Sequence, residues 1–291
     1  MNSSTALTFD QARDMTRGKF GATDAPCPLC GPHRRSVANQ RRKTMRLWCS
    51  DPAFLSYHCV RCGEQGWASS SEVSERSTID TVAVAAEVQR REQDEARERL
   101  KLALRLWRRR VPIGGTAAET YLREARGYGA RLPGTLGYLP ASGHHPPVMI
   151  AAFGMAQETL PGEIAIHDSA VRGIHLTKLK PDGSGKADVD PNKVMIGKSS
   201  GFPIVLAPIN DGLGLAIAEG IEDALSLHEA TGLGAWAAGS ASRLPALAER
   251  IPGYCEIVTI SADDDDAGLK YADELGQIVL RSRECRILVP S

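Results

Sequence analysis

The sequence predicts an α/β protein assembled from unlike parts: a small cysteine-held ribbon, a helical linker, an α+β middle lobe, and a parallel sheet flanked by helices. Three observations carry this. Two Cys-x2-Cys pairs lie near the N-terminus, Cys27/Cys30 and Cys59/Cys62. A densely charged stretch follows them, and the C-terminal part alternates short apolar runs with helical segments, the pattern of helices covering a parallel sheet. The expected boundaries are 20–68 for the ribbon, 69–110 for the linker and its charged helix, 111–210 for the middle lobe and 211–291 for the final domain.

At 291 residues the chain has room for two or three domains. Lys+Arg and Asp+Glu each total 35, so no global charge steers it to a polyanion, and any nucleic-acid signal must be local. The first 20 residues lack an apolar signal core, and no apolar run reaches the roughly 18 residues of a membrane span, which predicts a cytoplasmic protein without membrane partners.

Two residues between thiols let both sulfurs reach one ion, and each pair ends in glycine, Gly31 and Gly63. Two such knuckles, 28 residues apart, make Cys27, Cys30, Cys59 and Cys62 the ligands of a structural zinc. Four thiolates leave no open position for water, so a catalytic zinc is not expected. Cys49 and His58 lie beside the pattern and are read as non-ligands, and Cys255 and Cys285 as small buried hydrophobes. Between the knuckles run Arg34, Arg35, Arg41, Arg42, Lys43 and Arg46, with Trp48 and Tyr57 nearby. Cations and stacking rings together suit single-stranded DNA, while cations alone describe only a solvated loop.

From Ser69 to Ser77 the chain is Ser/Glu-rich. Leu100, Leu104 and Trp107 then mark one stripe of a helix between Thr78 and Arg110. Short β-like runs follow at Val148–Ala152, Ile164–His167 and Ile174–Leu179. The last part reads as strand Leu215–Ala218, helix Gly220–Thr231, strand Gly234–Ala237, helix Ser242–Arg250, strand Ile257–Ile260, helix Ala267–Arg281 and strand Ile287–Val289.

Glu219 ends the first of these strands, so its carboxylate should emerge at the carboxyl edge of the sheet, where open α/β folds place ligands. Asp263 and Asp265 follow the third strand two residues apart, and Asp223 lies one helical turn beyond Glu219. Taken alone, Asp263 to Asp266 reads as an acidic helix start. With Glu219 on a neighbouring strand end, the oxygens form a set suited to magnesium or manganese and a phosphate.

The segments Leu215-Ala216-Ile217-Ala218-Glu219-Gly220-Ile221-Glu222-Asp223, Ala238-Gly239-Ser240 and Ser261-Ala262-Asp263-Asp264-Asp265-Asp266-Ala267-Gly268 closely resemble the Toprim domain of DnaG-type and phage or plasmid primases. The resemblance implies that Glu219 acts as general acid/base and metal ligand, that Asp263 and Asp265 bind magnesium, and that Asp223 joins them. It implies a primase order of zinc-binding domain, polymerase lobe and Toprim lobe, with single-stranded DNA template, nucleoside triphosphates and a separate replicative helicase as partners. By the same resemblance Arg172, Lys178, Lys186 and Lys193 hold template or nucleotide. It further implies an acidic motif beyond Ile287–Val289 that this sequence does not reach.

No helicase motor is expected: Gly197-Lys198-Ser199 ends like a P-loop but has Asn192 where glycine is needed, and Gly185-Lys186 precedes Ala187. The alternatives are a non-catalytic zinc/Toprim DNA-binding protein of replication or recombination and a Toprim nuclease. More than 140 residues separate Cys62 from Glu219, which favours the primase arrangement.

Overall fold

The structure, a computed structural model, describes residues 6–34, 37–70 and 81–289. Arg35 and nearly all of the predicted 69–77 linker lie outside the described residues. The chain divides into two compact units, residues 1–94 and 95–291.

The first unit is an antiparallel sheet of β1 (Gly21–Pro26), β2 (Lys43–Asp51), β3 (Phe54–Cys59) and β4 (Gln65–Ser69), in that order. Strict alternation sends Met45, Leu47, Leu55, Tyr57 and Ala68 to one buried face. A helix at Phe9–Thr16, opened by a capping box of Thr8 and Gln11, packs its Ala12 into this core. Tyr57, a stacking candidate by sequence, is 1% exposed and accepts a hydrogen bond from the Leu7 amide through its hydroxyl. Its register neighbour is Gly66, where any Cβ would meet that hydroxyl at 2.6 Å.

A helix at Thr81–Arg108 runs across the division between the units. Ala103 and Trp107 on its last turns are buried with Ile150, Ala152 and Ile174. These belong to an antiparallel sheet of β5 (Leu136–Leu139), β6 (Val148–Phe153), β9 (Gly173–Lys178) and β10 (Lys193–Gly197), in the order β10-β9-β6-β5. A hairpin of β7 (Gln157–Leu160) and β8 (Glu163–Ala165) projects between β6 and β9 in the chain.

The remaining sheet holds β11 (Ile204–Ala207), β12 (Gly214–Ala218), β13 (Gly234–Ala237), β14 (Ile257–Ser261) and β15 (Glu284–Leu288), in the order β11-β13-β12-β14-β15. Its last four members are mutually parallel, and β11 is an antiparallel edge. The near-continuous burial of β12, β13 and β14 is what a sheet covered on both faces requires. The strand β11, which the sequence grouped with the middle lobe, pairs with β13 and is bridged at Ile204 to Gly154. One core accordingly runs from Tyr121, Leu136 and Met149 to Ala218, Ala224 and Ala237.

Helices Ile221–Thr231 and Asp266–Val279 match the sequence expectation closely. Between β13 and β14 the expected helix Ser242–Arg250 is instead a pair of 3-10 turns, Ala241–Arg243 and Pro245–Arg250. Pro245 has no N–H to continue an α-helical ladder, so the chain restarts there.

Candidate functional site

In the ribbon, the Cys27 and Cys62 sulfurs lie 3.9 Å apart, as do those of Cys30 and Cys59. All four sulfurs fall within 4.8 Å of one another. Thiolates held about 2.3 Å from a tetrahedral ion stand about 3.8 Å apart, so the spacing fits such an ion. The knuckle backbones are shaped by their glycines: a Cβ at Gly31 would strike the Cys27 carbonyl at 2.4 Å, and Gly63 adopts φ +74°. Burial opposes ionisation of Cys59, yet the amides of Cys62 and Arg61 and the Thr44 hydroxyl bring its thiol down to about 6. Burial and the neighbouring sulfurs push Cys62 up to about 12. Cys49 takes no part, since its thiol donates to the Asp51 carbonyl from within the ribbon core.

The other face of the ribbon sheet carries half-buried Trp48 and exposed Phe54 and Trp67. Register aligns Trp48, Ser56 and Trp67 across three strands. Trp67 stacks on Phe54 at 5.9 Å, and both rings are exposed. Arg46 lies on this face, gripped by Asp24 through two bonds of 2.7 and 2.9 Å. Arg41 and Lys43 line a groove of about 710 Å³ beside the first knuckle, and Arg42 is exposed. The Phe54–Trp67 pair escaped the sequence reading because Trp67 follows the second knuckle, outside the basic stretch.

In the Toprim-like sheet, register pairs Ala218 with Ser261, so Glu219 and Asp263 leave adjacent strand ends on the carboxyl side. Gly220 lets the chain turn into its helix with Asp223 close by: a Cβ there would meet an Asp223 carboxylate oxygen at 2.3 Å. Gly268 lies equally close to the Asp263 carbonyl, 2.4 Å from its would-be Cβ. Glu219 is half-buried, and burial and then the Asp263 charge raise its carboxyl above the ordinary range, against the pull of Lys193. Burial, Asp223 and Asp265 raise Asp263 likewise. Such mutual repulsion is relieved by a cation, and the all-oxygen donor set fits magnesium or manganese. Asp265 already has one oxygen engaged, accepting from the Gly268 amide at 2.7 Å as the helix cap. Among the described residues the cysteines are the one group of at least three potential ligands whose donor atoms all lie within 4.8 Å.

Of the four middle-lobe cations, Lys186 and Lys193 act on this region, whereas Arg172 and Lys178 donate to the Ser169 and Pro191 carbonyls. Glu222, which the sequence reading passed over, organises the first two. One of its oxygens accepts from the Tyr121 hydroxyl at 2.6 Å and faces the Lys186 ammonium at 2.9 Å. Burial opposes its charge, but Lys193 and Lys186 hold its carboxyl down to about 2. Because the folded value lies below the ordinary 4.5, the stability it contributes is present above about pH 4.5 and disappears as pH falls toward 2. Glu222→Gln is expected to lower stability by on the order of 3 kcal/mol at neutral pH, the gap to parent closing through that acid window. Urea unfolding of both proteins at several pH values checks it. His175, 3% exposed beside Phe153, is brought down to about 4 mainly by burial and then by Lys193, so it is neutral at physiological pH.

Residues 214–291 match the family model of the Toprim domain. Residues 97–206 match a model described as a domain of unknown function (DUF7146). The primase fragment of the bacteriophage T7 primase-helicase protein is a similar solved structure, with 10% identity and a TM-score of 0.38 over 92% of this chain and 90% of that one. No curated protein matches. Fold and family match together define a mixed α/β protein with a C-terminal Toprim domain and a four-cysteine cluster at residues 27–62.

Proposed function

We propose that the chain is a primase-like nucleotidyltransferase that holds single-stranded DNA on its zinc ribbon and joins nucleoside triphosphates at the Toprim carboxylates. The observation that carries this reading is the pair Glu219 and Asp263 on adjacent strand ends of a Toprim domain, each carboxyl raised by burial and then by acidic neighbours, with the Lys193 charge acting on both. Glu219, Asp263 and Asp265 would hold a divalent ion, which when bound supplies positive charge to phosphate oxygens. Asp223 adds to the negative field that retains it. Glu219 would accept the proton of an attacking 3′-hydroxyl as that oxygen bonds the α-phosphorus and pyrophosphate leaves. Lys186 and Lys193 meet triphosphate or template phosphates, and a separate helicase would supply unwound template.

On the ribbon, Arg41, Arg42 and Lys43 attract phosphates, and the face carrying Trp48, Phe54 and Trp67 offers rings to bases. Trp67→Ala is expected to weaken single-stranded DNA binding about tenfold with little change in its salt dependence, as read by fluorescence anisotropy across a salt series.

The engagement of Asp265 as a helix cap favours a second reading, a zinc/Toprim protein that binds DNA without catalysis. Template-directed incorporation of labelled nucleotides on unprimed single-stranded DNA, with magnesium or manganese and a strand-cleavage lane, separates the readings. Oligomers that depend on Glu219 establish the transferase, cleavage alone a nuclease, and binding without either the non-catalytic protein.

A further inference from the structure

The turn that closes over Glu219 ends in a cation that the sequence reading did not single out. The Gly239 amide donates to the Glu219 carbonyl at 2.8 Å, and the Ala241 amide slightly favours the charged Glu219 carboxylate. Arg243 completes this turn. Its Nη1 donates to the hydroxyl of Ser199, itself only 4% exposed, and its guanidinium lies 5.8 Å from the centre of the Phe153 ring. The same ring packs under Gly239, whose φ of +83° and a would-be Cβ 2.8 Å from Phe153 leave room for nothing larger. The whole turn is therefore fixed against β6.

Arg243 differs from the neighbouring cations in its counter-charges. The half-buried Lys186 has Glu222 against it, and Arg126 has Tyr121 and Glu222. Burial holds the Arg243 guanidinium below its ordinary range, and among the described residues it forms no ion pair with a carboxylate. A guanidinium that has lost part of its hydration without gaining an anion is costly unless a ligand supplies one. Arg243 is partly exposed, and none of its nitrogens is both sealed in the interior and without a hydrogen-bond partner. A planar fork held by a hydroxyl and a ring, on the turn whose Gly239 amide meets the Glu219 carbonyl, matches the geometry of a phosphate.

We propose that Arg243, oriented by Ser199, is a phosphate-receiving residue of the Toprim site, taking a phosphate of the template strand or of the incoming nucleoside triphosphate. This rests on the proposed role of Glu219 and Asp263. Two binding measurements with magnesium test it without requiring turnover: a labelled single-stranded oligonucleotide across a salt series, and a fluorescent non-hydrolysable nucleoside triphosphate. Arg243→Met keeps the packing stem over Phe153 and removes the charge, Arg243→Lys keeps the charge and removes the fork, and Ser199→Ala releases the orientation. Thermal unfolding identifies any variant that fails to fold, in which case Arg243→Lys and Ser199→Ala carry the test.

If the phosphate is the template's, Arg243→Met weakens oligonucleotide binding about tenfold and lowers the slope of log affinity against log salt by about 0.7. Arg243→Lys then restores the slope but only part of the affinity. If it is the nucleotide's, the triphosphate analogue loses about tenfold and the oligonucleotide slope stays put. Unchanged affinity for both ligands in folded variants, with the parent binding normally, overturns the subsite and leaves the proposed function standing. A parent that binds neither overturns both.

Discussion

Glu219→Gln is expected to abolish template-directed nucleotide incorporation, a loss of about 10³-fold or more, while leaving affinity for single-stranded DNA within about twofold of the parent. The substitution is nearly isosteric and keeps one side-chain oxygen. It removes the negative charge on which both cation retention and proton acceptance depend. Burial and then the Asp263 charge raise the Glu219 carboxyl, so Asp263→Asn should bring Glu219 back toward its ordinary range. Asp263→Asn should lose activity similarly, since it removes the acidic charge that acts most strongly on Glu219. The ribbon lies in a separate compact unit, so its basic and aromatic face is untouched by either change. Primer synthesis at parental rates from Glu219→Gln would sink the proposed site, and a matching loss of DNA binding would show that the carboxylate is structural.

What the sequence made legible follows from how local each signal was. The knuckles are written as Cys-x2-Cys-Gly, and the carboxylates stand where an apolar strand stops, so both could be read without knowing the tertiary fold. The strand β11 could not: its four apolar residues Ile204–Ala207 fit either neighbouring lobe, and only pairing with β13 decides which sheet takes them. Pro245 lies inside the expected helix Ser242–Arg250, and it is there that the chain restarts as a second 3-10 turn. Glu222 and Arg243 escaped for a different reason. Each looks like an ordinary surface charge in sequence, and what sets it apart is burial against partners 101 and 44 residues away, Tyr121 and Ser199. Their importance is a property of the packing between the lobes of residues 95–291, which no short motif encodes.

The ribbon is expected to carry one zinc per chain, and Cys27→Ser or Cys59→Ser to lose it together with the fold of the first unit. The physical reason is size. Among the described residues that unit's core comprises eleven buried residues, among them Cys27 at 1% and Cys59 at 0% exposure, together with three alanines. A core this small supplies few kcal/mol of its own, so a structural ion worth about 10–16 kcal/mol decides whether the sheet forms. Serine at either position removes a thiolate from the buried half of the cluster, leaving the ion without a full tetrahedral shell. The face with Trp48, Phe54 and Trp67 exists only while β2, β3 and β4 are paired, so loss of metal should abolish aromatic near-ultraviolet dichroism from the ribbon and cut single-stranded DNA affinity at least about tenfold. Residues 95–291 hold their own cores and should keep their cooperative unfolding transition. Elemental analysis of parent and variants, with dichroism before and after a strong chelator, decides the matter. A metal-free parent with an intact ribbon would refute the zinc assignment, and a Cys27→Ser protein that retains stoichiometric zinc would refute the ligand set.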